Sequence, residues 1–238
     1  MPSRRFWRGL AYSVWWRLRP LGEPGQRKIV APLALAAVVV AVSYAVPTSA
    51  VPPAAPAINA QGVVTRSTDQ PAEAVLTDAT YRSSATGQEP YALEIPVLNV
   101  QGFIQKVGVD QHSQIAVPTN IHLAGWFVDG AIPGEPGLSI IDGHLDGSKR
   151  PGIFSSLGSV KVGDEVNITL ASREQRIFRV RSVQTVPTAK AASVLFSQTP
   201  GIKRQLNLIT CGGTFSKSAR SYDERVVVIT EYDPSTSK

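Results

Sequence analysis

The sequence predicts a mainly β fold, a mostly antiparallel β-barrel with short helices, held behind a basic arm and an apolar stretch of membrane-spanning length. Three observations carry this expectation. Between residues 91 and 233, apolar residues alternate in short runs separated by glycine and proline turns, as in half-buried strands. No part of that region sustains the long helical period of a bundle, and no βαβ repeat occurs. Residues 29–46 carry no charge over 18 residues, directly after a strongly basic segment.

Residues 1–28 form the basic arm. They hold seven basic side chains against Glu23 alone, a net +6, which is the formal charge of the whole chain. The remaining 210 residues carry 17 basic and 17 acidic side chains and sum to zero. No basic face for nucleic acid is therefore expected on the main body. Trp7, Trp15 and Trp16 interleave with the arginines and suit anchoring at a headgroup surface. Residues 29–46, about 27 Å as a helix, read as one transmembrane helix with Pro32 tolerated in its first turn. The cationic flank stays in the cytoplasm, so the chain from about residue 47 is expected outside the cell. The alternative is a cleaved signal peptide, with Thr48-Ser49-Ala50 as the small-residue cleavage site.

Residues 47–90 are rich in proline and alanine and lack any sustained apolar period. They read as an extended or disordered linker, with a short helix around residues 72–80 as a further option. Residues 91–233 are the folded domain, large enough for one core, and 234–238 are a tail. Expected strands are Tyr91–Ile95, stopped by Pro96, then Phe103–Val109, Leu138–Ile141 and Glu165–Leu170. A longer strand through Ile177, Val180 and Val183 ends near Pro187. Leu206–Cys211 is stopped by Gly212 and Gly213, and Val226–Ile229 is apolar throughout, as if buried on both faces. Short helices are expected at Ile153–Leu157 and Ala191–Phe196.

Cys211 is the only cysteine, so no internal disulfide is available; an odd cysteine in an exported chain points to a reactive thiol or an intermolecular bridge. The contrasting reading is a small, inert core residue. His144, between Gly143 and Leu145 at the end of an apolar run, is displayed at a strand mouth. His122 sits between Ile121 and Leu123 and reads as packed, and His112 reads as a surface turn. Arg225 abuts the strand Val226–Ile229 and can hold two oxygens with its guanidinium. Arg220, earlier in the same loop, is the competing arginine. One cysteine and three scattered histidines make no zinc set, and no phosphate-binding glycine loop occurs, so no cofactor or metal is expected.

Taken together, Ile-Thr-Cys at 209–211, Arg225 fourteen residues on, and Gly143-His144 upstream resemble a sortase. Gly125-Trp126, Pro133-Gly134-Glu135, Gly143-His144-Leu145-Asp146, Val162-Gly163-Asp164 and Thr210-Cys211-Gly212-Gly213-Thr214-Phe215 recur in similar order in actinobacterial class F sortases. The resemblance spans residues 91–232. It departs at Asp142, where Ile-Ala-Gly-His is commoner, and in the loop Ser221–Arg225. It implies a closed eight-stranded barrel and a cysteine transpeptidase with Cys211, His144 and Arg225 as catalytic residues. The implied partners are surface proteins bearing a Leu-Pro-x-Thr-Gly (LPxTG) sorting signal and an amine acceptor such as a peptidoglycan precursor. A monomer anchored in the membrane, without nucleic acid, completes the expectation. Val117, Ile141, Val186, Val194, Leu195 and Ile209 are expected to wall the peptide groove. The rival readings are a hydrolase on the same scaffold and a tethered β domain that binds a partner, its cysteine inert.

Overall fold

The computed structural model describes residues 56–236. The expected cytoplasmic arm and transmembrane helix lie outside the described residues. Among the described residues no helix is long and apolar enough to cross a membrane.

Ten strands follow in chain order: β1 Ala57–Ile58, β2 Val63–Arg66, β3 Pro90–Ile95, β4 Val100–Val107, β5 Ala124–Phe127, β6 Gly137–Gly143, β7 Glu165–Leu170, β8 Gln175–Pro187, β9 Arg204–Ser216 and β10 Ser221–Tyr232. One helix, α1 (Thr188–Leu195), joins β8 to β9. The sheet runs β4-β3-β7-β8-β10-β9-β6-β5 and closes because β5 also pairs with β4, giving an eight-stranded barrel. The pairs β6–β9 and β4–β5 are parallel and the other six antiparallel.

Strand alternation creates two apolar layers. Leu206 and Leu208 of β9, Ile141 of β6 and Val228 of β10 point into the barrel with Trp126, Phe154 and Phe178. Ile140, Ile209, Val227 and Ile229 belong to a second cluster with Phe127 and Leu195, on the opposite, outer face of the same strands. α1 is fastened over this outer layer: the Asn207 side-chain amide donates to the Leu195 carbonyl at 2.7 Å, and Phe196 packs edge-on against Phe127 at 6.2 Å.

Four expectations change. Gly212 and Gly213 do not stop β9. β10 supplies a partner across them, and Gly213, at φ +76°, lies where the pairing register shifts. Residues 221–225 belong to β10 rather than to a loop, so Arg225 sits within a strand. Ile153–Leu157 is a turn followed by a single 3-10 turn, Leu157–Ser159, because Ile153, Phe154 and Leu157 must all plug the barrel end. The stretch before residue 90 lies on the barrel in part: β2 pairs with β4, and no helix forms at 72–80. Its Glu73 carboxylate accepts from the Ser148 backbone and hydroxyl and from the Lys149 backbone, at 2.6–3.2 Å. The segment thus clasps the loop that follows His144.

Candidate active site

Strand register assembles the site. β6 and β9 run parallel with Ile141 opposite Leu208 and Asp142 opposite Ile209, so His144, just past the end of β6, continues the row beside Cys211. β9 and β10 are antiparallel with Arg225 opposite Cys211. Imidazole, thiol and guanidinium therefore come from one row across three neighbouring strands. Residues paired in this way project to the same face. That face is the outer one, and all three side chains line a groove of 390 Å³.

Each member is held. The His144 ring nitrogen Nε2 lies 2.8 Å from the Pro118 carbonyl. A carbonyl can only accept, so the proton of the neutral ring sits on Nε2 and Nδ1 carries the lone pair. The turn below packs so closely that a side chain at Gly152 would come within 2.3 Å of the His144 carbonyl oxygen. Thr210 donates its hydroxyl to the Gly143 carbonyl at 2.8 Å, joining β9 to β6 one residue before Cys211 and one before His144. Arg225 donates through Nη1 to the Thr188 hydroxyl and to the Tyr222 and Glu224 carbonyls, at 2.7–3.1 Å. Its three bonds use one nitrogen, which leaves the other N–H groups of the guanidinium for a ligand. Arg220 instead pairs with Asp69 at 2.9 Å on the surface, both side chains about two-thirds exposed, and does not line the groove.

Thr210→Val tests the staple. It removes the hydroxyl's hydrogen bond to the buried Gly143 carbonyl, a loss of about 0.5–1.5 kcal/mol. Urea denaturation should show that loss, and turnover should fall with it as His144 drifts from the Cys211 row.

Burial dominates the electrostatics. Desolvation pushes the Cys211 thiol above its ordinary value of 9.0. Arg225 opposes the rise, while Asp146 and Asp142 add to it. Desolvation likewise pushes His144 below 6.5, against the Pro118 hydrogen bond and Asp146. The resting site therefore holds neutral thiol and neutral imidazole, and the thiolate–imidazolium pair is the minor form. A reaction needing that pair requires a deprotonated cysteine and a protonated histidine. Activity on peptide should rise through the lower, histidine-governed pKa and fall through the upper, cysteine-governed one. With both groups buried, the rising limb lies below pH 6.5 and the falling limb above pH 9. Iodoacetamide labelling of Cys211 against pH assigns the upper limb: labelling should climb with it, not with the lower one. Thiolate appearing with the lower limb would contradict this order.

Of the expected groove walls, Val117, Leu195 and Ile209 line it; Ile141, Val186 and Val194 do not. Ile141 points into the barrel core instead. Val109, Ile115, Phe127, Ala191, Ala192 and Phe196 complete the apolar wall, and the polar lining includes Ser113, Gln114 and Thr188. The Tyr222–Asp146 hydrogen bond, which pushes the phenol up to about 12, also escaped the sequence. So did the Pro118 contact. His122 is half-buried on a separate hollow and His112 is exposed in a turn. Cys211 is half-buried in the groove wall rather than sealed in the core.

The chain matches the Sortase domain family over residues 93–233. Among solved structures it is similar to "Sortase A from Corynebacterium diphtheriae, lid mutant", at 23% identity and TM-score 0.46, covering 62% of this chain and 73% of that one. It is also similar to sortase E1 from Streptomyces coelicolor "with tripeptide in the active site", at 20% identity and TM-score 0.48, covering 61% and 89%. Sortase C-1 from Actinomyces oris is similar at 22% identity and TM-score 0.44, covering 61% and 75%. No curated protein matches the sequence.

Proposed function

The chain belongs to the sortase family and is a cysteine transpeptidase of the sortase type, and we propose that Cys211, His144 and Arg225 carry its chemistry on an LPxTG-like sorting signal. Sortases join proteins bearing a sorting signal to amine acceptors. In our reading the signal lies extended in the outer groove, its apolar residues against Phe127, Leu195 and Ile209. The Cys211 thiolate attacks the carbonyl carbon of the residue before the cut, which we take to be threonine. The tetrahedral intermediate collapses as imidazolium Nδ1 of His144 gives its proton to the departing glycine nitrogen, leaving a thioester on Cys211. Neutral His144 then takes a proton from an incoming amine, which displaces the sulfur and forms the new amide. The free N–H groups of Arg225 hold the substrate backbone and the developing oxyanion.

The observation that carries this reading is the single row of His144, Cys211 and Arg225 across β6, β9 and β10. The same reading places the enzyme nearest class F and the acceptor among cell-wall amines. It anchors the protein by residues 29–46, with 47–90 leading to the catalytic barrel of 91–233. Product analysis with and without a glycine-peptide amine tests the transfer. Amide product that grows with amine concentration supports transpeptidation; hydrolysed product alone, at every amine concentration, would make the enzyme a peptidase.

A further inference from the structure

One side chain of the groove has no part in this chemistry. Asp142 lies one row below the catalytic row, opposite Ile209 on β9 and Gly125 on β5, and projects to the same face as His144 two residues on. It lines the groove. It is 8% exposed, and its Oδ1 is buried without a hydrogen-bond partner. Room for the carboxyl comes from Gly125, where a β-carbon would fall within 2.2 Å of Oδ1 and 3.0 Å of Pro118 and Val107. The apolar floor there has no need of an acid: Ile209 and Val107 would pack against alanine or leucine as well.

We propose that Asp142 is a specificity-determining residue, which receives a hydroxyl or carboxamide side chain of the sorting signal at or beside the residue whose carbonyl Cys211 attacks. This rests on the peptide substrate proposed above. Strand rise sets the Asp142 row about 6.6 Å from the Cys211 row, within reach of a side chain on the cleaved residue or its neighbour. Burial holds the acid well above the usual carboxylate range, which favours its neutral form. A neutral carboxylic acid both donates and accepts, and so do hydroxyl and carboxamide groups. An ammonium group is the wrong match, because Arg225 already brings positive charge to the groove and a neutral acid offers no counter-charge. A buried group left unpaired by an apolar side chain penalises that side chain, and this is how a polar pocket rejects an isostere lacking its hydroxyl.

The test is thioester formation, read by mass spectrometry and as kcat/KM, on peptides Leu-Pro-Xaa-Yaa-Gly with threonine, its isostere valine, or lysine at Xaa and Yaa in turn. At one of the two positions the unaltered enzyme should favour threonine by at least about tenfold, the size of effect expected when a buried polar group is left unpaired. Asp142→Leu, which fits the apolar floor and should fold, should bring the ratio to within about twofold. Asp142→Asn, which still donates and accepts, should keep the preference. Equal use of threonine and valine by the unaltered enzyme would overturn the inference, as would a preference that survives in Asp142→Leu. A lysine preference lost in Asp142→Asn would overturn it in favour of an ion pair. No thioester with any peptide, from folded unaltered enzyme, would instead sink the transpeptidase chemistry on which it rests.

Discussion

Cys211→Ala should leave no thioester and cut turnover by at least about 10⁴-fold, since nucleophile loss in a comparable acyl-transfer triad removes nearly all of the chemical acceleration. The fold should stay intact. The thiol is half-buried in a groove wall, not part of either apolar layer, so its removal opens no core cavity. Its strand neighbours are fixed independently: Thr210 by the Gly143 carbonyl and Asn207 by α1. Peptide binding should persist, because the Phe127, Leu195 and Ile209 surface is untouched. A loss of kcat with KM nearly unchanged is therefore expected, and far-ultraviolet circular dichroism with a melting curve separates it from unfolding.

Arg225→Lys should lose about 10²–10³ in kcat, the cost typical of one missing oxyanion donor, although the charge is kept. The reason is geometric. Arg225 spends Nη1 on Thr188 and on the Tyr222 and Glu224 carbonyls, which fixes the plane of the guanidinium while its other donors remain. A lysine ammonium is one nitrogen: it can satisfy those oxygens or face the substrate, and it cannot do both in a fixed plane. Arg220→Lys, in contrast, changes only an exposed pair with Asp69 and should alter turnover little. Normal turnover in Arg225→Lys would remove this residue from the proposed chemistry.

Much of this was legible in the chain because strands announce themselves by alternation. Glu165–Leu170 matches β7 residue for residue, and Pro96 ends β3 as expected. β5 was not expected: Ala124–Phe127 is short, contains glycine and is buried on both faces, so no alternation marks it. The two glycines after Cys211 mimic a stop, yet backbone pairing with β10 outweighs their flexibility, and only the register shift records them. That is also why Arg225 reads as a loop residue and proves to sit opposite Cys211. Cys211 and His144 stood out because one is unique and the other is set in a glycine turn at a strand end. Thr210, Pro118 and the Asp146–Tyr222 pair gave no such signal. Their roles arise from hydrogen bonds between segments distant in sequence, which no local pattern encodes. The groove walls were half legible for a related reason: Leu195 and Ile209 follow from element phase, whereas Phe127 and Ile115 depend on how α1 and the 108–118 loop lie over the outer layer.

Whether one row of three strands forms a nucleophilic site is decided most directly by the intact mass of the protein after incubation with a Leu-Pro-x-Thr-Gly peptide and no amine. The expected result is an acyl adduct lacking the glycine fragment, mapped by digestion to Cys211, discharged by hydroxylamine and absent from Cys211→Ala. Peptide cleaved while Cys211 is blocked by alkylation, or an adduct mapped to any other residue, would contradict it.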